Sequence, residues 1–399
     1  MPVSILFWHL AGCTSVRPSM NYGPQKGVYA MIDQVDKFLA SSVLDAERPL
    51  ITFAVISYNE ESFIREAVQG AFSQTYSPLE IILSDDCSTD RTFEIIQEEA
   101  ARYRGPHKIV LNRNNKNLGI GFHLNQVMSL VSGFMVVIAD GDDISLPERT
   151  IEIYKAWVDS DKTAFSIDSA CVTINESSNI INRPPLTYLP QEHQLLFFSK
   201  TLRNCVYGAS HAWHRKVFDL FGPLPNIACQ DLVIPPRSIL LGKVVRINRA
   251  LVQYRIHESN VYSSQKQRTA QESIERSVYF FNDKIKICTD VVRCINEYKT
   301  AIQDPSLVCE LDECVSNINR NRDKLALKVK IFTGYPIVRL IHLFKHIFLY
   351  GLQLGDMTMV AYAISRTVHR LAREIFYLRQ RIVKTFSKNA SQPKRSGES

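Results

Sequence analysis

From Pro49 onward the apolar positions form short unbroken runs that alternate with runs at helical spacing. Residues 50–57 (LITFAVIS) are continuous, rich in β-branched side chains and of strand length, as expected of a strand covered on both faces. Residues 60–73 then place Phe63, Ile64, Ala67 and Ala71 at helical spacing. A second strand is predicted over 80–84, followed by a helix over 91–104 with Ser88 to Asp90 as its capping residues. A third strand over 108–112, a third helix over 119–131 and a fourth strand over 134–139 (FMVVIA) complete the series. Connections too long for hairpins make these parallel βαβ units of an α/β sheet.

Beyond Pro147 the rhythm weakens. One or two strands are expected over 163–175, and a loop over 182–191, where Pro184, Pro185 and Pro190 fall. A strand over 207–214, a short helix over 230–241 and closing strands over 243–247 and 250–254 follow. Residues 264–322 read as polar helix, and 328–386 mix apolar and basic positions. The pattern divides the chain into an N-terminal extension (1–48), a sheet-forming domain (49–263), a helical extension (264–323) and a basic C-terminal segment (324–399).

Composition excludes a disordered chain or a fibre, with 45% apolar and 22% charged residues among 399. The net charge of +7 conceals an asymmetry. Residues 324–388 hold 12 basic and two acidic side chains, the last eleven residues add one positive charge, and the first 323 carry the remaining balance of −4. A basic segment on an acidic body points to an anionic partner for that segment alone; an amphipathic helix lying on an anionic membrane surface accounts for it, as does a helical subdomain with solvated basic faces. The window 331–350 contains Pro336, Arg339, His342, Lys345 and His346, which argues against a bilayer span. The nine cysteines show no CxxC and read as free thiols of a reducing compartment. The short apolar run 3–12 before Cys13 has no basic residue ahead of it, so an export signal is not expected, and a leader before Met20 or Met31 is read as dispensable.

Two acidic groups stand where strands end. Asp85 and Asp86 follow the second strand, and Asp140, Asp142 and Asp143 follow the fourth. Ligands of open parallel sheets bind beyond the carboxyl ends of the strands. Three carboxylates in four residues repel each other by roughly 1 kcal/mol or more per close pair unless a cation joins them. An all-oxygen donor set suits Mg²⁺ or Mn²⁺ held together with phosphates. Neither GxxxxGK[ST] nor GxGxxG occurs, which disfavours P-loop and dinucleotide-binding proteins.

Spread over residues 49–263 are five pieces in a meaningful order. They are Ala54-Val55-Ile56-Ser57-Tyr58-Asn59; Asp85-Asp86-Cys87-Ser88-Thr89-Asp90; Asn117-Leu118-Gly119 with Asn125; Asp140-Gly141-Asp142-Asp143; and Cys229-Gln230-Asp231 with Tyr254-Arg255-Ile256-His257-Glu258-Ser259-Asn260. Together they resemble the family 2 glycosyltransferases, inverting enzymes of the GT-A fold that use nucleotide-diphosphate sugars. The resemblance implies an α/β fold of GT-A type: a Rossmann-like mixed sheet flanked by helices, here with a C-terminal helical region. It places Ser57, Tyr58, Asn59, Glu60, Asp85, Asp86, Asn117, Gly119, Asn125 and Asp140 at the nucleotide sugar. It places Asp142, Asp143 and His257 at a Mn²⁺ or Mg²⁺ ion, and makes Asp231 the general base.

The chain departs from the family pattern at Gln230, where Glu is frequent, and at Leu124, where Arg is frequent. His123 and Arg113 are the candidate replacements for that Arg. His211, Trp213 and His214 have the composition of an acceptor platform or, equally, of a buried edge strand, and 182–193 is expected to flank the acceptor. The implied reaction moves a sugar, UDP- or dTDP-linked, to a hydroxyl of a glycan or lipid-linked acceptor in bacterial surface polysaccharide or lipopolysaccharide synthesis. The implied location is cytoplasmic, peripheral on the inner face of the plasma membrane, with no nucleic-acid partner. A sugar-phosphate nucleotidyltransferase and a catalytically silent GT-A-like binding protein remain the alternatives.

Overall fold

In the computed structural model the described residues are 48–181, 194–258, 260, 269–334 and, beyond them, 342, 343, 346, 349 and 350. The N-terminal extension, the expected loop 182–191 and most of the basic segment lie outside them.

Three runs make the centre of the sheet: β1 (Ile51–Ser57), β2 (Leu79–Asp85) and β4 (Met135–Asp140). All seven residues of β1 and of β2 are buried, which the long apolar run of β1 and the Ile81-Ile82-Leu83 centre of β2 reflect. Each fully buried Val, Ile, Leu or Phe contributes about 1.5–3 kcal/mol. β3 (Lys108–Arg113) is an edge strand with alternating exposure. β1 pairs in parallel with β2 and with β4, and β2 with β3. The crossovers are α1 (Ile64–Phe72), α2 (Thr92–Arg102) and α3 (Ile120–Met128).

The second half turns the sheet mixed. After β5 (Ile144–Ser145) and α4 (Arg149–Asp159) come β6 (Ala164–Ile174), α5 (Gln194–Thr201), β7 (Ala212–His214), α6 (Lys216–Phe221), α7 (Ile234–Leu241) and β8 (Lys243–Arg255). The eight strands lie in the order β3-β2-β1-β4-β7-β6-β8-β5, with β7 antiparallel to both neighbours. This is the GT-A type of α/β architecture the resemblance implied.

Several expectations need correction. Only 212–214 of the stretch 207–214 is strand, because Gly208–Ser210 coils into a 3₁₀ turn. The two closing strands are one, β8, and the polar pair Asn248-Arg249 is absorbed where the β6 register slips between Ile247 and Ala250. α4, α5 and α6 were not anticipated.

Two long helices follow: α8 (Ala270–Lys299), started by a Thr269–Glu272 capping box, and α9 (Pro305–Thr333). The expected break at residue 324 falls inside α9. Ile287, Cys288, Val291, Cys294 and Ile295 of α8, with Leu311, Cys314 and Ile318 of α9, join the same apolar core as Ile138 and Trp213. The helical extension thus packs as part of the body. All eight described cysteines are free thiols. Among the described residues no helix is long and apolar enough to cross a membrane.

Candidate active site

The carboxyl ends of β1, β2 and β4 open onto one edge, and each expected acidic residue sits there. At the end of β1, Ser57 is buried with its Oγ on the Ser84 carbonyl at 3.2 Å, and Tyr58 stands exposed on the rim. Asn59 adopts a left-handed conformation (φ 56°), which Asn tolerates better than most residues. Its N–H donates to Ser88 Oγ at 2.8 Å, and its side-chain oxygen accepts from Thr89 N at 2.9 Å. The turn after β1 is thereby tied to the turn after β2.

Asp85 and Asp86 are both buried and engaged by protein donors. Asp85 accepts from the N–H and hydroxyl of Ser88 and lies 3.4 Å from Arg113 Nε. Asp86 accepts from Asn114 Nδ2 at 2.8 Å and from the N–H groups of Leu118 and Gly119, each at 2.9 Å. Gly119 meets this carboxylate with φ at +76°, a conformation suited to glycine. Asn117 Oδ1 accepts from the same Gly119 N–H at 3.0 Å. The pair shapes the loop that walls the site. His123 is buried beneath, 2.6 Å from Ser84 Oγ, while Arg113 stacks over Phe93.

The second cluster is built differently. Asp142 Oδ2 is 2.8 Å from His257 Nε2 and accepts from Asn260 Nδ2 at 3.1 Å. Asp143 Oδ1 accepts from the Arg255 N–H at 2.8 Å, but its Oδ2 is buried without a hydrogen-bond partner. One ligand atom from each of Asp140, Asp142 and Asp143 lies within 4.8 Å of the others, and the same holds for Glu60, Asp142 and His257. Burial first, and then the neighbouring Asp142, push the Asp140 carboxyl up to about 7. The same causes, with Asp140 added, hold Asp143 well above the usual range. Glu60 is pushed up to about 9 by burial and then by Asp142 and Asp140. A concentration of like charge that holds protons in the absence of a cation, with an orphaned buried oxygen among it, fits a divalent ion.

Two buried arginines hold this cluster; Arg255 belongs to the quoted 254–260 piece but was given no role there, and Arg149 belongs to none of the pieces. Arg255 donates from Nε to the Asp142 carbonyl at 2.8 Å and from Nη2 to Glu66 Oε2 at 2.7 Å, with its guanidinium over the Phe63 ring. Arg149, carried in by the unanticipated α4, donates to Ser145 Oγ at 2.9 Å and to the Ile138 carbonyl at 2.7 Å. Their contacts join residues far apart in the chain, so a pattern along the sequence does not reveal them.

Asp231 sits on the 3₁₀ turn Gln230–Leu232, half-buried, and accepts a hydrogen bond from Asn204 Nδ2. A methyl group at Gly208 would lie only 3.3 Å from its Oδ2, so that glycine leaves the carboxylate its space. Burial pushes Asp231 up to about 6, against the opposing pull of Asn204 and of the Lys284 ammonium. Asp231 in turn adds to the charge that raises Asp140.

Four sequence-based assignments move. Asn125 is bound both ways to the Leu224 backbone, Nδ2 to the carbonyl at 2.9 Å and Oδ1 to the N–H at 2.8 Å, so it anchors the 224–231 loop instead of a nucleotide. Trp213 is fully buried between β4 and β6. His211 is fully buried against Ser166 Oγ at 2.8 Å, with its imidazole lowered to about 3 by burial. His214 is wedged between Phe134 and Phe165 and accepts from Lys216 N. His211 and Trp213 are sheet interior and His214 is partly buried beside them, which is the buried-strand alternative for this stretch. The other acceptor candidate, 182–193, lies outside the described residues.

The sheet is of GT-A type, with acidic strand ends and an under-coordinated carboxylate cluster at one edge. Residues 52–220 match the model of "Glycosyl transferase family 2", and this part of the chain is a family 2 glycosyltransferase domain. The chain is 24% identical over 337 residues to an uncharacterized glycosyltransferase of Haemophilus influenzae, a match covering 81% of this chain and 98% of that protein. It is 37% identical over 101 residues to the putative glycosyltransferase EpsE of Bacillus subtilis, covering 25% of this chain and 36% of EpsE. Among solved structures, that of TarS residues 1–349 from S. aureus aligns with a TM-score of 0.48 at 15% identity, covering 80% of each chain.

Proposed function

We propose that the protein is an inverting, metal-dependent glycosyltransferase that moves a sugar from a UDP- or dTDP-linked donor to a hydroxyl of a glycan or lipid-linked acceptor in surface polysaccharide synthesis. The observation that carries this reading is the cluster at the end of β4, where Asp140, Asp142 and Asp143 converge with one unpartnered buried oxygen. A separate carboxylate, Asp231, is near enough to add to the charge that raises Asp140.

In this reading the turn 57–60 and the loop walled by Asp85, Asp86, Asn117 and Gly119 receive the nucleoside, and Asp140 faces its ribose. Asp142, Asp143 and His257 hold Mn²⁺ or Mg²⁺, which when bound supplies Lewis-acid charge to the diphosphate oxygens as they become the leaving group. Asp231 accepts the proton of the acceptor hydroxyl as that oxygen bonds to the anomeric carbon and the bond to the diphosphate breaks. The transition state is oxocarbenium-like, and a single displacement without a covalent intermediate inverts the centre. A carboxylate raised to about 6 is deprotonated at neutral pH yet more basic than an ordinary Asp, which suits a general base. The basic segment 324–388 fits attachment to the anionic inner face of the plasma membrane, where lipid-linked acceptors reside.

A panel of nucleotide sugars with Mn²⁺ and lipid-linked or glycan acceptors, scored for nucleoside diphosphate release, tests the reading. Acceptor-dependent release with one sugar, reduced about 10²- to 10⁴-fold in Asp231→Asn, is expected. Release of pyrophosphate from a nucleoside triphosphate and a sugar phosphate would instead identify a nucleotidyltransferase.

A further inference from the structure

One oxygen of Asp231 is already taken by the protein. Asn204 Nδ2 donates to Asp231 Oδ2. The same oxygen closes on Gly208, where a methyl group would stand 3.3 Å from Oδ2 and 3.5 Å from the Asp231 Cβ and Cγ. The 204–208 turn therefore encloses Oδ2, and a carboxylate that commits one oxygen to an amide has the other to offer.

The turn is anchored on β6. The Tyr207 N–H donates to Asp168 Oδ2 at 2.7 Å, and Arg246 of β8 grips that buried carboxylate with its Nε 3.0 Å from each oxygen. The Arg246 guanidinium also lies over the Tyr207 ring. Ser210 Oγ donates to the Ser169 carbonyl at 2.8 Å and accepts the Ser169 N–H at 3.1 Å. Cys205 and Val206, next to Asn204, are buried, and Leu202 before them takes a left-handed conformation (φ 49°) that a branched apolar residue rarely adopts. Strain of this kind persists only where the surroundings enforce it, and it gathers at functional sites. Asn204 itself is exposed, so its side chain adds little to the core.

The backbone that carries Asp231 is held as firmly. Asn125 brackets Leu224, the Gly121 N–H donates to the Ile227 carbonyl at 2.9 Å, and Asp283 of α8 accepts the Ala228 N–H at 2.8 Å. Two separately anchored segments thus meet at the Asn204–Asp231 hydrogen bond.

Building on the proposed role of Asp231 as base, we infer that Asn204 is a positioning residue: it takes Oδ2 so that the acceptor hydroxyl meets Oδ1, while Gly208 leaves the carboxylate its room. The hydroxyl proton passes to Oδ1 as the acceptor oxygen bonds to the anomeric carbon and the bond to the diphosphate breaks. Asp168 and Arg246 act one step back, by seating the turn.

The test is steady-state kinetics of the full chain with the UDP- or dTDP-sugar and acceptor that wild type turns over, for Asn204→Ala, Asn204→Asp and Gly208→Ala. Asn204→Ala should lower kcat about 10-fold, with donor KM unchanged and, because the side chain is exposed, a wild-type Tm. Asn204→Asp keeps the shape but replaces a donor with a like charge, so it should lose more, about 10²-fold. A merely structural role predicts the reverse order, because an isosteric Asp packs as Asn does. Gly208→Ala should lower kcat a few-fold by displacing the carboxylate. A kcat in Asn204→Ala equal to wild type, or Asn204→Asp at least as active as Asn204→Ala, would overturn the inference. So would a fall in Tm large enough to account for the lost turnover of Asn204→Ala. Wild-type protein with no acceptor-dependent turnover, or an Asp231→Asn variant as active as wild type, would overturn the reading of Asp231 itself.

Discussion

The two acidic groups at the sheet edge have the same residue type, the same position after a buried strand and opposite physical states. Asp85 and Asp86 are surrounded by N–H, hydroxyl, amide and guanidinium donors. Asp140, Asp142 and Asp143 face each other and Glu60, and one of their buried oxygens has no partner. A satisfied carboxylate organises a loop; an unsatisfied cluster stores a demand for positive charge. Function at this edge is therefore marked by incomplete satisfaction, and the presence of aspartate alone does not distinguish the two.

The sharpest way to break the contrast is at Arg255. Its guanidinium holds the Asp142, Asn175 and Glu176 carbonyls and pairs with the half-exposed Glu66, and Arg255→Met removes these while keeping the backbone N–H that Asp143 accepts. A loss of about 3–5 kcal/mol in urea unfolding is expected, because several carbonyls lose a buried donor at about 1–3 kcal/mol each. A loss under 1 kcal/mol would mean that water replaces the guanidinium at these carbonyls. A smaller effect is expected at the satisfied pair. Asp86→Ala leaves the N–H groups of Leu118 and Gly119 and the Asn114 amide to find other partners, at a cost of about 1–3 kcal/mol, with faster amide hydrogen exchange confined to 114–121. The smallest effect separates the two groups by sign. Glu60 is raised to about 9 in the fold and ionises near 4.5 when unfolded, so the native state binds the extra proton between these values. In metal-free protein its contribution to stability is complete below about 4.5 and declines as pH rises toward 9. Glu60→Gln should flatten the fall in Tm between pH 6 and 9, and an unchanged slope would show that Glu60 is not desolvated there.

How much of this could be read along the chain depends on how local the signal is. β1, β2 and β4 announce themselves because both faces are covered and their centres are runs of apolar residues. Their ends give the acidic groups directly, so Asp85, Asp86, Asp140, Asp142 and Asp143 were found in place. The second half was harder. β7 is three residues long, β8 carries Asn248-Arg249 across a register slip, and α4 hides in a stretch whose buried positions include Arg149 and Thr150. Asn125 and Trp213 looked functional because polar and aromatic residues near a motif invite that reading. Their real partners are the Leu224 backbone and the sheet interior, at distances in sequence that no spacing rule reaches. Asn204 and Asp283 belong to the same class, each through one long-range contact, and Arg255, although inside a quoted piece, acts through several.

The central claim is that the β4 aspartates, unlike the β2 pair, grip a divalent ion. Mn²⁺ titration followed by electron paramagnetic resonance measures this directly on wild type, Asp142→Asn and Asp86→Asn. The account predicts that Asp142→Asn weakens Mn²⁺ at least about 10-fold, since even outer-shell partners of a metal are worth 10–100-fold, while Asp86→Asn stays within a few-fold of wild type. Equal Mn²⁺ affinity in wild type and Asp142→Asn, or an equal loss in both variants, would contradict it.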